Sequence, residues 1–235
     1  MDDDMLSSIT RFLSRFFLRR NVTDQPPTRD LNRMFMDLIS HLDSKDARSD
    51  DLEKEVRRFL ISRSASDDVF KERLSGDIYL ENTGATRYIL SSLEERSMTK
   101  ETWRDLWKQE PSGGKMYYTW TIEHIFPEGD NIPKAWVEMV AGGNKELASE
   151  LREMYCHKLG NLTLTGYNSN LSNMSFEKKR DRLDKNSNPI GYRNGLSLNT
   201  DLAIKDSWTV DDIGMRTEKM VSEIMTMFKL ETDDD

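Results

Sequence analysis

The stretch Ile122-Glu123-His124-Ile125-Phe126-Pro127 places a carboxylate next to an imidazole near the end of a segment rich in β-branched and aromatic residues. The whole segment, KMYYTWTIEHIFP at residues 115–127, predicts a strand that ends at Pro127. Successive strand residues point to opposite faces, so Glu123 and His124 can serve one site only if the strand bends there, as the proline permits. Glu123 and His124 are therefore the first candidates for catalytic or metal-binding residues.

A second segment that combines a predicted strand with polar residues lies further along the chain. The run Leu162–Thr165, within LGNLTLT at residues 159–165, predicts a short strand, which is bounded by Gly160 and Gly166. The asparagine-rich loop YNSNLSN at residues 167–173 follows it. A basic helix is then predicted from Ser175 to Lys185, with Ser175 as its N-cap. The order is therefore strand, long insertion, strand, asparagine-rich loop and basic helix.

The rest of the chain predicts helices on either side of these segments. Apolar residues recur at helical spacing between Thr28 and Ser44, and RFLSRFFLRR at residues 11–20 favours an amphipathic core helix over a DNA-contacting one. Thr99 is predicted to begin a helix that carries Trp103 and Trp107, and Ser112-Gly113-Gly114 to form a flexible hinge. We therefore expect a helical domain over residues 1–110 and a second domain over residues 111–235.

Composition narrows the class of protein. Of the 235 residues, 36% are hydrophobic and 32% charged, the formal net charge is −8, and no window approaches the roughly 20 apolar residues of a membrane span. A single cysteine, Cys156, excludes an internal disulfide and a multi-cysteine zinc site. We expect a cytoplasmic protein without membrane contact. The segment 151–195 stands out, because it carries eight basic residues against four acidic ones.

The order Glu-His, Asn, Asn and basic helix resembles the ββα-metal active site of HNH nucleases. More narrowly, IEHIFP together with HKLGNLTLTGYNSNLSNMSFEKKR resembles the HNH domain at the C-terminus of GmrSD-type (type IV) restriction enzymes. The resemblance extends from Thr86 to the C-terminus and includes Trp208, Ile213 and Arg216. It implies a mainly α fold with a small ββα-metal element, in which the helical N-terminal half packs on a C-terminal HNH nuclease core.

Phosphodiester hydrolysis needs an activated water, a Lewis acid on the phosphate and stabilisation of the departing oxygen. His124 suits the general base, because an imidazole titrates near neutral pH. Glu123 offers a hard oxygen ligand for one divalent ion, Mg²⁺ or Mn²⁺. The resemblance implies Asn168 as a second ligand; Asn170 competes, because some HNH enzymes use its nine-residue spacing from Asn161. Asn161 itself is expected to accept a hydrogen bond from the imidazole and fix its tautomer.

The basic helix is expected to contact DNA. The F-x-x-K spacing from Phe176 selects Lys179 as the residue that approaches the scissile phosphate. Lys178 and Arg180 are expected to hold flanking phosphates, and Arg182 belongs to the same basic patch. A solvated helix face is the alternative for these charges.

The other two histidines receive structural interpretations. His41 is expected to be a structural residue without a partner. His157 next to Cys156 suggests a metal site, but two adjacent ligands with no others make a poor one, so we expect none there. Two departures from the usual HNH pattern leave the ligand set open: Glu123 stands where HNH enzymes commonly have aspartate, and the third motif position holds lysine or asparagine instead of histidine.

The leading hypothesis is a metal-dependent HNH endonuclease that nicks or cuts foreign, modified DNA, such as phage DNA, in a restriction system. Members of the family carry an upstream nucleotide-dependent sensor domain, which this sequence does not contain; we therefore expect a C-terminal portion of such an enzyme or a stand-alone relative. DNA and a sensor domain are the expected partners, and a homodimer would bring two sites to two strands. The alternative is a DNA-binding or regulatory module with a degenerate site.

Overall fold

The computed structural model describes residues 3–45, 49–166, 171 and 173–231, and it is mainly helical with two small antiparallel sheets. The chain forms two compact units. The first comprises Met1–Leu74 with Val221–Asp235, and the second comprises Ser75–Met220. The division falls at residue 74, whereas the sequence predicted a boundary at residue 110.

Helix α6 (Thr83–Glu95) explains why the second unit begins so early. Its Glu94 is buried and accepts hydrogen bonds from the backbone N–H groups of Ser197 and Leu198, at 3.0 and 2.9 Å. Arg87 of the same helix donates to the carbonyl oxygen of Leu106 at 2.7 Å. The contacts of Glu94 tie α6 to residues well beyond position 110, and sequence periodicity carries no signal for them.

In the part of the chain that the structure describes, the first unit is built from helices. They are α1 (Asp3–Thr23), α2 (Leu31–Lys45), α3 (Ser49–Ile61) and α4 (Asp67–Ser75). The predicted helix between Thr28 and Ser44 is confirmed, and a 3-10 turn over Thr28–Asp30 precedes α2. The unit has its own core, which holds Phe12, Phe16, Met34, Leu38, Val56, Phe59 and Leu60. Since α1 contributes buried phenylalanines, the RFLSRFFLRR segment is a core helix.

The second unit contains the remaining elements. After α5 (Ile78–Glu81) and α6 come β1 (Gln109–Ser112), β2 (Lys115–Tyr118), β3 (Thr121–His124), α7 (Lys134–Ala141), α8 (Lys145–Tyr155), β4 (Leu162–Thr165), α9 (Phe176–Arg180), α10 (Thr200–Ile204) and α11 (Val210–Met227). The residues of α11 beyond Met220 belong to the first unit. The aromatic core of the second unit includes Phe126, Trp136, Phe176, Tyr192 and Trp208.

Two local predictions in this unit are wrong. Residues 99–108 do not form a helix: Thr102 Oγ1 accepts a hydrogen bond from the Thr99 N–H at 2.8 Å, and Asp105 Oδ1 accepts one from the Trp107 N–H at 2.9 Å. Such side-chain acceptors compete with helical hydrogen bonds. The predicted hinge is a tight turn instead, in which Gly113 and Gly114 take φ values of 57° and 79° and join β1 to β2.

The strand predicted over residues 115–127 is divided between two sheets. β2 pairs with β1, whereas β3 pairs antiparallel with β4, in a register that places Glu123 opposite Thr163 and His124 opposite Leu162. The predicted strand over Leu162–Thr165 is therefore confirmed, and all four of its residues are buried.

The basic helix is shorter than predicted, because α9 ends at Arg180 and not at Lys185. Beyond it, Asp184 Oδ1 accepts hydrogen bonds from the N–H groups of Asn186 and Asn188, at 2.8 and 2.9 Å. A carboxylate that binds nearby N–H groups in this way stabilises a turn in place of a helix.

The start of β4 packs closely against α11. A Cβ atom on Gly160 would lie 2.2 Å from the backbone oxygen of Ile213, so only glycine fits there. The buried Arg216 donates to the carbonyl oxygens of Gly160 and Leu162, at 2.7 and 2.8 Å. These contacts fix β4, and through it the position of its partner β3. Among the described residues, none of the helices combines the length and the apolar character that crossing a membrane requires.

Candidate functional site

The site is built where β3 ends. Glu123 and His124 are its last two residues, and their side chains point to opposite sides of the strand. Pairing continues one step past the strand, because the Ile125 N–H donates to the Asn161 carbonyl oxygen at 2.9 Å. The two neighbouring side chains therefore enter two different environments.

His124 faces a second histidine and a carboxylate. Its Nε2 lies 3.2 Å from His157 Nδ1 and 3.7 Å from Glu128 Oε2. The side chain of His124 is 8% exposed, that of Glu128 is 52% exposed, and His157 is half-buried. The cluster thus has a buried imidazole at His124 and a solvent-facing carboxylate at Glu128.

Tyr79, in α5, packs against both imidazoles. Its ring meets the His124 ring edge-on, with centroids 4.6 Å apart, and lies parallel to the His157 ring at 5.7 Å. Burial raises the pKa of the Tyr79 hydroxyl, which keeps it protonated at neutral pH. The ring thus limits the rotation of both histidine side chains and holds their nitrogen atoms toward each other.

The environment of His124 favours a neutral imidazole. Burial lowers the pKa of His124 to about 3, and the nearby His157 and Lys179 contribute in the same direction. A neutral imidazole has a free lone pair, the form in which histidine binds metal ions and accepts protons.

The side chains of His124, Glu128 and His157 fit a divalent metal ion. One ligand atom from each of the three lies within 4.8 Å of the other two. Two imidazole nitrogens with one carboxylate oxygen are a common donor set for first-row transition metals, and three protein ligands leave positions for water and substrate. In the part of the chain that the structure describes, no other group of three such side chains comes together.

Glu123, predicted as a metal ligand, does not belong to this cluster. It is 3% exposed, and its Oε1 accepts a hydrogen bond from Lys179 Nζ at 2.6 Å. Burial raises the pKa of Glu123, and the ammonium of Lys179 opposes this shift. Because the carboxylate points to the protein interior, away from His124, the structure does not bring this predicted ligand to the cluster.

Lys179, predicted to approach the scissile phosphate, is 1% exposed and faces inward too. Besides Glu123, its ammonium donates to the carbonyl oxygens of His124 and Ile125, at 2.8 and 3.1 Å. An ammonium has three N–H donors, so this arrangement uses all of them. Lys179 therefore binds β3 internally, and no donor of its ammonium is left for DNA.

Asn161 has a structural role and does not contact the His124 ring. Its Oδ1 accepts from the Phe126 N–H at 2.8 Å, and its Nδ2 donates to the carbonyl oxygens of Phe126 and Cys156, both at 2.9 Å. The side chain is fully buried. In place of the predicted hydrogen bond to the imidazole, Asn161 makes hydrogen bonds to the backbone of Phe126, which follows His124, and of Cys156.

The remaining predicted ligands, Asn168 and Asn170, lie outside the described residues. Whether either completes the cluster stays a prediction.

The predicted DNA-contacting residues in α9 and just after it differ in their exposure and in their salt bridges. Arg180 is bound to Asp181 and Asp206, at 2.7 Å each, and donates to the Lys205 carbonyl oxygen at 2.6 Å, so the predicted phosphate contact would have to displace these partners. Lys178 and Arg182 are exposed and line an open cavity of about 640 Å³. Of the predicted DNA-contacting residues, these two are placed to reach a phosphate.

Two residues of the cluster escaped the sequence interpretation. His157 was set aside because its neighbour Cys156 was its only visible co-ligand; Cys156 is buried, and burial raises its pKa to about 11. Glu128 follows His124 by four residues, a spacing that could have suggested it. His41, expected to have no partner, instead binds Glu55 Oε2 through Nε2 at 2.9 Å.

The end of a two-stranded sheet thus carries a cluster of two imidazoles and one carboxylate that could hold a divalent ion. The family model described as GmrSD restriction endonucleases, C-terminal domain, matches residues 64–223, about two-thirds of the chain. The chain therefore belongs to this family of restriction endonucleases, as the resemblance implied. No curated protein matches the chain.

Proposed function

We propose that the chain is a metal-dependent HNH endonuclease that hydrolyses DNA phosphodiester bonds, with one divalent ion held by His124, Glu128 and His157. The observation that carries the proposal is the convergence of these three ligand atoms within 4.8 Å, in a member of a restriction endonuclease family. The chain order β3, β4, α9 matches the order of a ββα-metal element and supports the HNH assignment.

The bound ion would supply a Lewis acid for the phosphate and would make water more acidic. The protein supplies the rest: Tyr79 and Asn161 fix the geometry around His124, and the exposed Lys178 and Arg182 offer positive charge to the DNA backbone. Two imidazoles suit Mn²⁺ better than Mg²⁺, which prefers oxygen ligands. We therefore expect stronger activity with Mn²⁺.

His124 could serve as a ligand or as the general base predicted from the sequence. The geometry favours a ligand, because its Nε2 is directed to the same place as His157 Nδ1, only 3.2 Å away. A general base works best with a pKa near the working pH. Burial holds the pKa of His124 far below that range, at about 3.

Supercoiled plasmid cleavage with Mn²⁺ or Mg²⁺, combined with calorimetric metal titration, tests the proposal. Wild-type protein is expected to nick the plasmid, and His124→Ala to lose both metal binding and cleavage. A His124→Ala variant that binds the ion normally but does not cleave would assign His124 as the base. Glu153→Gln, an exposed carboxylate outside the cluster, is the matched control and should behave like wild type. Wild-type protein that binds no divalent ion contradicts the proposal.

The proposal also covers the DNA substrate and the protein partners. Modified phage DNA is the proposed target, and a nucleotide-dependent sensor domain the proposed source of selectivity. A protein of net charge −8 binds bare DNA weakly on its own, which is consistent with delivery by a partner. The cleavage assay is therefore repeated with modified phage DNA and with the sensor domain present. A homodimer would align two sites on two strands, and light scattering measures whether one forms.

One observation favours a second candidate, a DNA-binding or regulatory module. The buried pair of Glu123 and Lys179 withdraws a predicted ligand and a predicted phosphate contact from the surface. Such a module would bind DNA with equal affinity with and without divalent ions and would cleave nothing. The same titrations distinguish it from the nuclease.

A further inference from the structure

Lys179 is a lysine of unusual placement, because its charged end is enclosed by the protein. Its side chain is 1% exposed, and its Nζ lies 2.6, 2.8 and 3.1 Å from Glu123 Oε1, the His124 oxygen and the Ile125 oxygen. Enclosing two opposite charges is costly unless each is fully paired and hydrogen-bonded. A pair this complete, directly beside the candidate site, requires an explanation.

The backbone contacts of the ammonium indicate what the pair does. Two of its three acceptors are consecutive carbonyl groups, those of His124 and Ile125, at the point where β3 ends. Glu123, the third acceptor, precedes His124 and points to the opposite side of the strand. Lys179 therefore holds the Glu123 side chain before His124 and the backbone carbonyls after it, and sets the direction in which the imidazole leaves the strand.

The backbone of Lys179 is fixed as well. Its carbonyl oxygen accepts a hydrogen bond from the Tyr192 N–H at 3.2 Å, and a Cβ atom on Gly191 would lie 2.0 Å from that oxygen. Phe176, three residues earlier in α9, is fully buried in the aromatic core. The ammonium thus projects from a rigid base, as a positioning contact must.

We propose that Glu123 and Lys179 are positioning residues: neither binds the ion or DNA, and together they direct the His124 imidazole toward His157 and Glu128. This inference rests on the proposed function. It assigns to Glu123 a different task from that of a metal ligand. The two assignments give opposite results when Lys179 is removed.

Binding of Co²⁺, followed by its visible absorption, tests the inference on the full chain. Outer contacts of metal ligands typically change affinity by about 10- to 100-fold when removed. Lys179→Met is therefore expected to bind Co²⁺ at least about ten-fold more weakly than wild type, with a changed absorption spectrum. If Glu123 is a ligand, Lys179→Met releases it, and affinity stays the same or rises; that result overturns the inference.

Two further variants separate positioning from loss of stability. Leu202→Ala opens a cavity in the core of the same unit at a residue that is not part of the cluster, so it should lower the melting temperature and leave Co²⁺ affinity unchanged. The double variant Glu123→Gln/Lys179→Met removes both charges together and is expected to fold even where a single variant does not. It should still bind Co²⁺ at least about ten-fold more weakly.

The outcomes also separate this inference from the proposed function. Wild-type protein that binds no Co²⁺ overturns the metal site, and the inference with it. Wild-type binding that persists unchanged in both Lys179→Met and the double variant overturns the positioning role alone.

Discussion

His124 Nε2 lies 3.2 Å from His157 Nδ1, although the two histidines are 33 residues apart in the chain. Antiparallel pairing of β3 with β4 produces this proximity, since it places Leu162 opposite His124 and brings the turn before β4 beside the end of β3. The ring of Tyr79 packs on both imidazoles. The register of the β3–β4 pairing therefore brings His124 and His157 together, and the candidate metal site needs both histidines.

Replacing His157 by alanine should weaken divalent metal binding by at least about ten-fold, since one of three ligands is removed. DNA cleavage should fall by a comparable or larger factor. Calorimetric titration with Mn²⁺ and plasmid nicking measure the two effects. His41→Ala provides the control, because His41 belongs to the first unit and binds Glu55. Unchanged Mn²⁺ affinity in His157→Ala would remove His157 from the site.

Asn161→Ala should lower the free energy of unfolding by about 2–4 kcal/mol, because it leaves buried backbone groups of Phe126 and Cys156 without partners. Urea denaturation measures the decrease. The hydrogen bond to His124 predicted from the sequence would instead make Asn161→Ala a stable protein with low activity. A variant within about 0.5 kcal/mol of wild type contradicts the structural role of Asn161.

The sequence predicted the elements of the site better than their side-chain directions. The segments ending at His124, beginning at Leu162 and beginning at Phe176 are a strand, a strand and a helix, as their residue types indicated. Residue type does not tell whether Glu123 turns toward solvent or toward Lys179. The side to which Glu123 turns depends on the pleat of β3 and on how deeply α9 is buried beside it. Both are properties of the tertiary structure.

Long-range contacts account for the other differences. Glu94 binds the N–H groups of Ser197 and Leu198, about a hundred residues later, and no local pattern predicts such a contact. His157 looked isolated for the same reason, since its partner approaches only when β3 and β4 pair. Local patterns predicted α1 and α2 of the first unit correctly, because the core residues of these helices recur at helical spacing.

Two glycines in the same unit should respond in opposite ways to alanine. Gly160→Ala forces a Cβ atom to within 2.2 Å of the Ile213 oxygen, so we expect a loss of more than about 3 kcal/mol or failure to fold. Gly214 lies inside α11 with no atom within 4 Å of an added Cβ. Gly214→Ala should therefore stabilise the protein by about 0.5–1 kcal/mol, as in other helix interiors. Thermal unfolding measures both, and equal effects would contradict the packing of β4 against α11.

Substitution of the basic residues should show which of them contact DNA and which are held by salt bridges within the protein. A side chain that neutralises one phosphate of duplex DNA contributes about 0.9 to the slope of log K against log salt concentration. Lys178→Ala and Arg182→Ala, at exposed positions along the open cavity, should each weaken binding and reduce that slope by about one.

Arg180→Gln is the informative comparison for that experiment. The guanidinium binds Asp181 and Asp206 at 2.7 Å, so removing it should leave the salt dependence of DNA binding nearly unchanged. Fluorescence anisotropy with a duplex oligonucleotide between about 50 and 200 mM salt covers the range in which these slopes separate. If Arg180→Gln reduces the slope as much as Lys178→Ala, the arginine must leave both aspartates to bind DNA. The internal pairing would then describe only the free protein.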